Sequence, residues 1–220
     1  MPELRKDDEV FVLDLGDTEN RFSPDWLTAV GEQLDTAAAT AGALVTSGSG
    51  KFYTNGLDLE WLLANADQYA DYVARVHELL ARLLTFPVPT VAAINGHAFG
   101  AGAMFALAND YRVMRADRGY FCFPEADINI PFTPGMAALI QAKLTPAAAM
   151  AAMTTARRFG GPQARELGLV DEVAEQEQVL ERAVELARPL AGKDRGTLGA
   201  IKSTMFATAA STLREPMPAA

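Results

Sequence analysis

The chain has 220 residues, of which half are hydrophobic and 21% are charged, a balance typical of one globular domain with a large core. Its formal net charge of −9 argues against nucleic acid as a partner, because such affinity depends on basic side chains that displace counterions. The same charge disfavours an anionic membrane surface, but backbone N–H groups could still hold a phosphorylated ligand.

The cysteine and histidine content limits which disulfides and metal sites the chain can form. Cys122 is the only cysteine, so no disulfide can form within the chain, and we predict a cytoplasmic location. With only His77 and His97 beside it, a Cys/His zinc site is excluded, and we predict no metal. The polar N-terminal stretch MPELRKDDEV lacks the apolar segment of a signal peptide, and no apolar run is long enough to span a membrane.

Strands and helices are predicted to alternate through the first two thirds of the chain. Ser23 and Pro24 suit the N-cap and the first turn of a helix, and residues 57–86 keep helical spacing with a break near 65–67. This alternation predicts the α/β class. In order, the predicted elements are a strand at 10–16, a helix at 23–39, a strand at 42–48, two helices within 57–86, a strand at 89–96, a helix at 100–111, and strands at 111–116 and 119–124.

Helices dominate the last third of the chain. Residues 134–188 are predicted to be mostly helical, with one short extended segment at 169–174. A last helix at 196–213 leads into a loose tail, REPMPAA. Within a single domain we therefore divide the chain into a core with its helical extension, 1–195, and a C-terminal helix with its tail, 196–220.

The stretch CFPEADINIP, residues 122–131, places one carboxylate, Glu125, directly after a run of aromatic and apolar residues. A glutamate at the end of a buried strand loses hydration unless another interaction compensates. Glu125 is therefore either a solvated residue that ends the strand or a base with a raised pKa. The residues of this stretch alone leave both interpretations open.

Two glycine-containing turns, TNGLDL at 54–59 and FGAGAM at 99–104, each follow a predicted buried strand and lead into a helix. Glycine spacing excludes a phosphate loop at 47–56 and a dinucleotide fingerprint at 96–102. Each turn by itself could be a plain turn with tight helix packing. Together with an isolated acid downstream, however, two such turns suggest an oxyanion hole built from two backbone N–H groups.

Four stretches of the chain resemble the crotonase superfamily of enoyl-CoA hydratases and isomerases. They are GSGKFYTNGLDL, PTVAAINGHAFGAGAMFALANDYRVM, FPEADINIP and TTARRFGGPQARELGLVDEVA, and the resemblance spans roughly residues 10–205. It implies a spiral of ββα units with a helical C-terminal trimerisation region, assembled as a homotrimer or a dimer of trimers. It also implies an acyl-CoA substrate, with coenzyme A as part of that substrate and no separate cofactor.

The resemblance assigns the two oxyanion donors to the backbone N–H groups of Leu57 and Ala101. Glu125 matches one of the two glutamates of the hydratases, whereas Met104 stands at the position of the other. Hydration needs two acid/base groups, but moving a double bond needs only one, so the pattern is most similar to that of the Δ3,Δ2-enoyl-CoA isomerases. The same resemblance implies these substrate-binding residues: Asn55, Gly56, Asp58, Phe99, Gly100, Met104 and Trp61.

The predicted function is therefore isomerisation of a 3-enoyl-CoA to the trans-2-enoyl-CoA in fatty acid β-oxidation, with Glu125 as the catalytic base. One alternative is a hydratase or another crotonase reaction, which would need a second acid from Asp127 or Glu60. Another alternative is an acyl-CoA-binding paralogue without catalytic activity.

Several other residues have two interpretations each. We expect His97 to be structural and His77 to lie at the surface or in an interface. Tyr53 and Trp61 line an acyl channel or belong to the core. Three basic residues are either contacts to the CoA phosphates or solvated surface charges: Arg21, Lys51 and Lys202.

Overall fold

Nine strands form two sheets in the computed structural model, which describes residues 1–216. They are β1 (Glu3–Asp7), β2 (Val10–Asp14), β3 (Ala43–Ser47), β4 (Phe52–Thr54), β5 (Thr90–Ile94), β6 (His97–Phe99), β7 (Tyr111–Arg115), β8 (Phe121–Cys122) and β9 (Glu172–Ala174). The larger sheet has the order β1-β2-β3-β5-β7-β9, and the smaller one has the order β4-β6-β8. All neighbouring pairs are parallel except β1 with β2.

Helices connect and cover these strands. Three of them begin with a capping hydroxyl followed by proline, the signal that was predicted for Ser23 and Pro24. Ser23, Thr133 and Thr145 each accept a hydrogen bond from a first-turn backbone N–H. The α-helices are α1 (Pro24–Thr40), α2 (Leu59–Ala64), α3 (Tyr69–Leu84), α4 (Ala101–Ala108), α5 (Glu125–Ile128), α6 (Pro134–Lys143), α7 (Pro146–Thr155), α8 (Gly161–Glu166), α9 (Val179–Ala187), α10 (Arg195–Met205) and α11 (Ala207–Arg214).

A unit of two strands and a helix recurs three times, as β3-β4-α2, β5-β6-α4 and β7-β8-α5. In each unit the first strand joins the larger sheet and the second joins the smaller sheet. This arrangement confirms the predicted α/β class and the spiral of ββα units. Because the strands of the smaller sheet are parallel, the segments that follow β4, β6 and β8 meet at one edge of that sheet.

The larger sheet is covered by helices on both faces. Val45 and Val91 belong to a cluster with Ala183 of α9. The neighbouring Leu44 belongs instead to the main core cluster, which includes Phe105 of α4. Since side chains alternate along a strand, the sheet is buried on both faces, and its central strands read as continuous apolar runs.

The structure departs from the predicted elements at several places, and β4 and β6 of the smaller sheet are among the strands that were not predicted. The strand β1 was not predicted, because its sequence ELRKD is charged and mostly exposed at the sheet edge. The predicted strand at 119–124 is reduced to Phe121–Cys122, since Glu125 begins a helix. The predicted strand at 169–174 is reduced to β9, and the predicted last helix is divided into α10 and α11 at Phe206.

Other predictions concern the ends of the helical part. The break between the two helices of 57–86 is confirmed as a 3₁₀ turn at Ala66–Gln68. Most of the predicted loose tail lies outside the described residues, and the division of the chain at 195 stays a prediction. No helix within residues 1–216 has the length and apolar character needed to cross a membrane.

Candidate active site

A cavity of about 330 Å³ opens at the edge of the smaller sheet where β4, β6 and β8 end. Residues from all three following segments line it, so the ββα topology itself creates this site. The lining residues are Arg21, Asn55, Leu57, Leu59, Phe99, Gly100, Ala101, Pro124, Glu125, Ile128 and Ile130.

The turn after β4 touches the turn after β6 through Gly56. This glycine has a φ of +75°, and a Cβ atom there would lie 2.7 Å from the Phe99 carbonyl oxygen and 2.9 Å from the Ala101 nitrogen. Real Cβ atoms do not come so close to backbone atoms, so glycine is required for the two turns to meet. Leu57, which follows Gly56, and Ala101 both line the cavity next to this contact.

Two backbone N–H groups at this wall are available to a ligand. Within the described residues, neither the Leu57 N–H nor the Ala101 N–H donates a hydrogen bond. Ala101 is the first residue of α4, where N–H groups have no acceptor within the helix. The pair therefore suits the predicted oxyanion hole, in which preorganised donors stabilise a developing negative charge, and that role stays a prediction.

Gly100 sets the direction of the second turn. Its φ of +53° and ψ of −124° suit glycine, and its N–H donates to the Cys122 carbonyl oxygen at 3.0 Å, which ties the turn to β8. A Cβ atom on Gly100 would lie 3.4 Å from Oε1 of Glu125. The carboxylate therefore lies directly opposite the turn that carries the Ala101 N–H.

Glu125 is the only acidic residue among the residues that line the cavity. Its side chain is held in a poorly hydrated place: the residue is 9% exposed, and Oε2 has no hydrogen-bond partner within residues 1–216. Burial raises the pKa of Glu125 to about 7, although the Glu125 backbone N–H acts in the opposite direction. A carboxyl group with this pKa can both take and return a proton near neutral pH.

Six of the predicted site residues come together at the cavity wall. The predicted donors Leu57 and Ala101 lie there with the predicted base Glu125, and so do three predicted substrate-binding residues, Asn55, Phe99 and Gly100. The structure thus assembles these residues, and the roles assigned to them stay predictions.

Four other predicted substrate-binding residues do not line the cavity. Gly56 lies behind the wall in the contact between the two turns, and Asp58 caps α2 by accepting the Trp61 N–H at 3.1 Å. Trp61 packs its ring on Tyr72 at 5.2 Å. Met104 is fully buried in the core, because every residue of α4 is buried.

The sequence analysis did not assign some residues of the cavity wall. Ile128 and Ile130 are 45% and 37% exposed and form an apolar rim beside Glu125. They were missed because the segment after Glu125 gave no helical signal, whereas it forms the single turn α5, which ends at Asn129 in the left-handed conformation. Leu59 and Pro124 adjoin predicted residues in the sequence, and that proximity was the available signal.

Two expectations for polar side chains are wrong. His77 is not at the surface: it is 2% exposed, and its ring nitrogens contact the Leu213 carbonyl oxygen at 3.0 Å and Oγ1 of Thr133 at 2.8 Å. Lys202 is not a surface charge, and it does not line the cavity. It is 5% exposed, and its Nζ lies 2.5 Å from the Asp110 carboxylate.

Other residues with two interpretations are now placed. Tyr53 is a core residue whose hydroxyl lies 2.7 Å from Oγ1 of Thr46. His97 packs among aromatic rings, including that of Phe99. Arg21 lines the cavity and its Nε lies 2.5 Å from the Glu19 carboxylate.

The two carboxylates considered as a second acid, Asp127 and Glu60, are both exposed, and neither lines the cavity. Asp127 belongs to the same short helix as Glu125, and Glu60 belongs to α2. A reaction that needs two carboxylates facing one ligand therefore finds only one of them at this wall.

Comparisons with known proteins bear on the family and the fold of this chain. A family model described as Enoyl-CoA hydratase/isomerase matches residues 6–219. The peroxisomal enoyl-CoA delta isomerase 2 of Arabidopsis thaliana is 37% identical over 204 residues, covering 86% of this chain and 85% of that protein. A probable enoyl-CoA hydratase from Mycobacterium tuberculosis H37Rv has a similar fold, with a TM-score of 0.90, 31% identity, and coverage of 98% of this chain and 92% of that one. Human mitochondrial Δ3-Δ2-enoyl-CoA isomerase has a TM-score of 0.88 at 25% identity, covering 96% and 85%.

Proposed function

Because the chain belongs to the enoyl-CoA hydratase/isomerase family, we propose that it moves the double bond of a 3-enoyl-CoA to give trans-2-enoyl-CoA. The family membership confirms the resemblance read from the four sequence stretches, and the names of the relatives indicate an isomerase-like enzyme. One observation carries the choice of reaction: among residues 1–216, the cavity wall has a single carboxylate, Glu125, together with two backbone N–H groups that have no acceptor there.

The proposed reaction uses Glu125 twice. Its carboxylate takes a proton from C2 of the thioester, and the electron pair moves toward the carbonyl oxygen to give a dienolate. The N–H groups of Leu57 and Ala101 stabilise that oxygen, and losing one such donor typically costs about 3 to 4 kcal/mol of transition-state energy. Glu125 then delivers the proton to C4, so that the double bond lies between C2 and C3 and the carboxylate is restored.

The alternatives have less support. A hydratase would need a second acid, and the two candidates considered, Asp127 and Glu60, are exposed outside the cavity. A paralogue that only binds acyl-CoA would have no need for a buried carboxyl group with a pKa of about 7.

Further parts of the proposal rest on family membership. We propose an acyl-CoA as the substrate, no cofactor apart from the coenzyme A of that substrate, and a homotrimer or a dimer of trimers in fatty acid β-oxidation. Arg21 at the cavity is the basic residue best placed to meet a CoA phosphate. A cytoplasmic location stays a prediction, and the name of one relative places that protein in the peroxisome.

The test is incubation of the purified protein with a 3-enoyl-CoA while conjugated 2-enoyl-CoA and 3-hydroxyacyl-CoA are followed together. We expect the conjugated product alone, and no hydroxyacyl product from added 2-enoyl-CoA. Glu125→Gln should lower kcat about 100- to 10,000-fold, since it removes the base. The matched control is Asp127→Asn, which neutralises an exposed carboxylate of the same helix and should keep activity. Hydroxyacyl product, or full activity in Glu125→Gln, would contradict the proposal.

A further inference from the structure

Thr54, the last residue of β4, uses its side chain to organise the turn that carries the first donor. It is fully buried, and its hydroxyl donates to the Asn20 carbonyl oxygen at 2.7 Å. The Thr54 hydroxyl oxygen in turn accepts the Gly56 N–H at 3.0 Å. This hydroxyl holds the peptide between Asn55 and Gly56, which directly precedes the Gly56–Leu57 peptide that carries the first donor.

The backbone of Thr54 also touches the turn that carries the second donor. A Cβ atom on Gly102 would lie 2.3 Å from the Thr54 carbonyl oxygen and 2.9 Å from Cγ2 of Thr54. Gly102 directly follows Ala101 in the first turn of α4. Thr54 therefore contacts both turns and lies between the segments that present the two N–H groups.

The groups that hold Thr54 are themselves fixed. Asn20 is buried with a φ of +50°, and its Nδ2 donates to the carbonyl oxygens of Gly16 and Tyr53, each at 3.0 Å. The Phe22 N–H closes the other side of the turn by donating to the Gly56 carbonyl oxygen at 2.8 Å. This network continues from the Thr54 hydroxyl into rigid backbone, so the hydroxyl has little freedom to adapt.

We propose that Thr54 is a positioning residue that sets the separation of the oxyanion donors at Leu57 and Ala101. This inference rests on the proposed function, because it assumes that the two N–H groups bind a thioester oxygen. An oxyanion hole works only when its donors lie about 2.7–3.1 Å from the charged oxygen, and errors of about 0.5 Å reduce its benefit. Thr54 acts through those donors and does not itself touch the substrate.

The test compares Thr54→Val with Thr54→Ser. Valine keeps the branched shape but removes the hydroxyl, which leaves the Gly56 N–H and the Asn20 carbonyl oxygen unpaired in a buried place. We expect kcat with a 3-enoyl-CoA to fall about 10- to 100-fold with a much smaller change in KM, because the donors matter most in the transition state. Serine restores the hydroxyl and should recover most of the lost kcat.

The pKa of a bound β-ketoacyl-CoA is a measurement that would not change if the role of Thr54 were purely structural. Bound in the site, this ligand ionises to an enolate whose ultraviolet absorbance reports its pKa, and the two donors lower that pKa. In Thr54→Val we expect the pKa of the bound ligand to rise by about one unit, which corresponds to a tenfold loss of enolate stabilisation. Thr46→Val is the matched control, since it removes another fully buried hydroxyl, one that contacts the tip of Tyr53 instead of the donor turns.

The outcomes separate this inference from the proposed function. If wild-type protein binds the β-ketoacyl-CoA without lowering the pKa of that ligand, the assignment of Leu57 and Ala101 as an oxyanion hole is wrong. The inference about Thr54 then fails with it. If wild type lowers the pKa and Thr54→Val lowers it equally, only the role of Thr54 is overturned. Should Thr54→Val fold poorly, Thr54→Ala removes the same hydroxyl without the branched side chain. The value of kcat and the pKa of the bound β-ketoacyl-CoA then test the role of Thr54 in that variant.

Discussion

Burial of Glu125 should lower the stability of the folded protein, and the size of this loss should depend on pH. The folded-state pKa of about 7 lies above the ordinary value of 4.5, so the folded state holds the proton more tightly than the unfolded chain does. Stability contributed by this group is complete below pH 4.5 and is lost as pH rises toward 7. Glu125→Gln keeps the size of the side chain and removes the titration, so the variant should be more stable than wild type at high pH.

The size of the effect follows from the two pKa values. Linkage between them gives a difference of about 1 kcal/mol at pH 5 and about 3 kcal/mol at pH 8 in favour of Glu125→Gln. Since Glu125 is only 9% exposed, solvent screening reduces these figures little. The other titrating groups are common to both proteins and cancel in the comparison.

Urea unfolding of both proteins at pH 5, 6.5 and 8 measures this difference, with equal m-values as the check that the same transition is compared. Asp127→Asn serves as the control, since it removes an exposed carboxylate from the same short helix. A gap between Glu125→Gln and wild type that stays constant with pH, or a less stable variant at pH 8, would refute the assigned pKa of Glu125. The catalytic argument for a base active near neutral pH would then lose its physical support.

Three further predictions concern activity and the role of Lys202. The value of kcat/KM should rise with pH through about 7 and then level off, since the reaction needs ionised Glu125; a flat profile between pH 5.5 and 8.5 would contradict this. Gly100→Ala should lower kcat about 100-fold by straining the turn and crowding Glu125, whereas Gly168→Ala, at a similar positive φ with open space, should leave kcat within about threefold. Lys202→Met should lower the free energy of unfolding by about 3 to 5 kcal/mol, because it leaves Asp110 without its buried partner. The KM for acyl-CoA should be unchanged, and a raised KM would indicate that Lys202 contacts CoA after all.

The sequence was sufficient for much of the fold because its strongest signals are local. Ser23 followed by Pro24 identifies the start of α1, and the apolar runs of β2, β3 and β5 are continuous because helices cover both faces of their sheet. For the site, the glycines at 56 and 100 indicated turns that present backbone groups. The family resemblance then related those turns to Glu125.

The predictions that failed depend on long-range packing. Whether His77 is exposed depends on contacts with Thr133 and Leu213, which are distant in sequence, and Lys202 depends on Asp110 in the same way. Met104 keeps the position in the sequence that the family implies, but α4 is buried on every side, so its side chain lies in the core. No sequence periodicity distinguishes a wall of a cavity from the core behind it.

The smaller sheet is too short to stand alone, and this limits how the catalytic parts could be transferred to another protein. Its strands have three, three and two residues, and so few ladder hydrogen bonds cannot hold an isolated sheet together. Each strand keeps its place because a connection of only a few residues, 48–51, 95–96 or 116–120, anchors it to the larger sheet. Grafting the three turns onto a foreign scaffold would therefore scatter the donors and the base, whereas moving the three complete ββα units would carry the alignment with them.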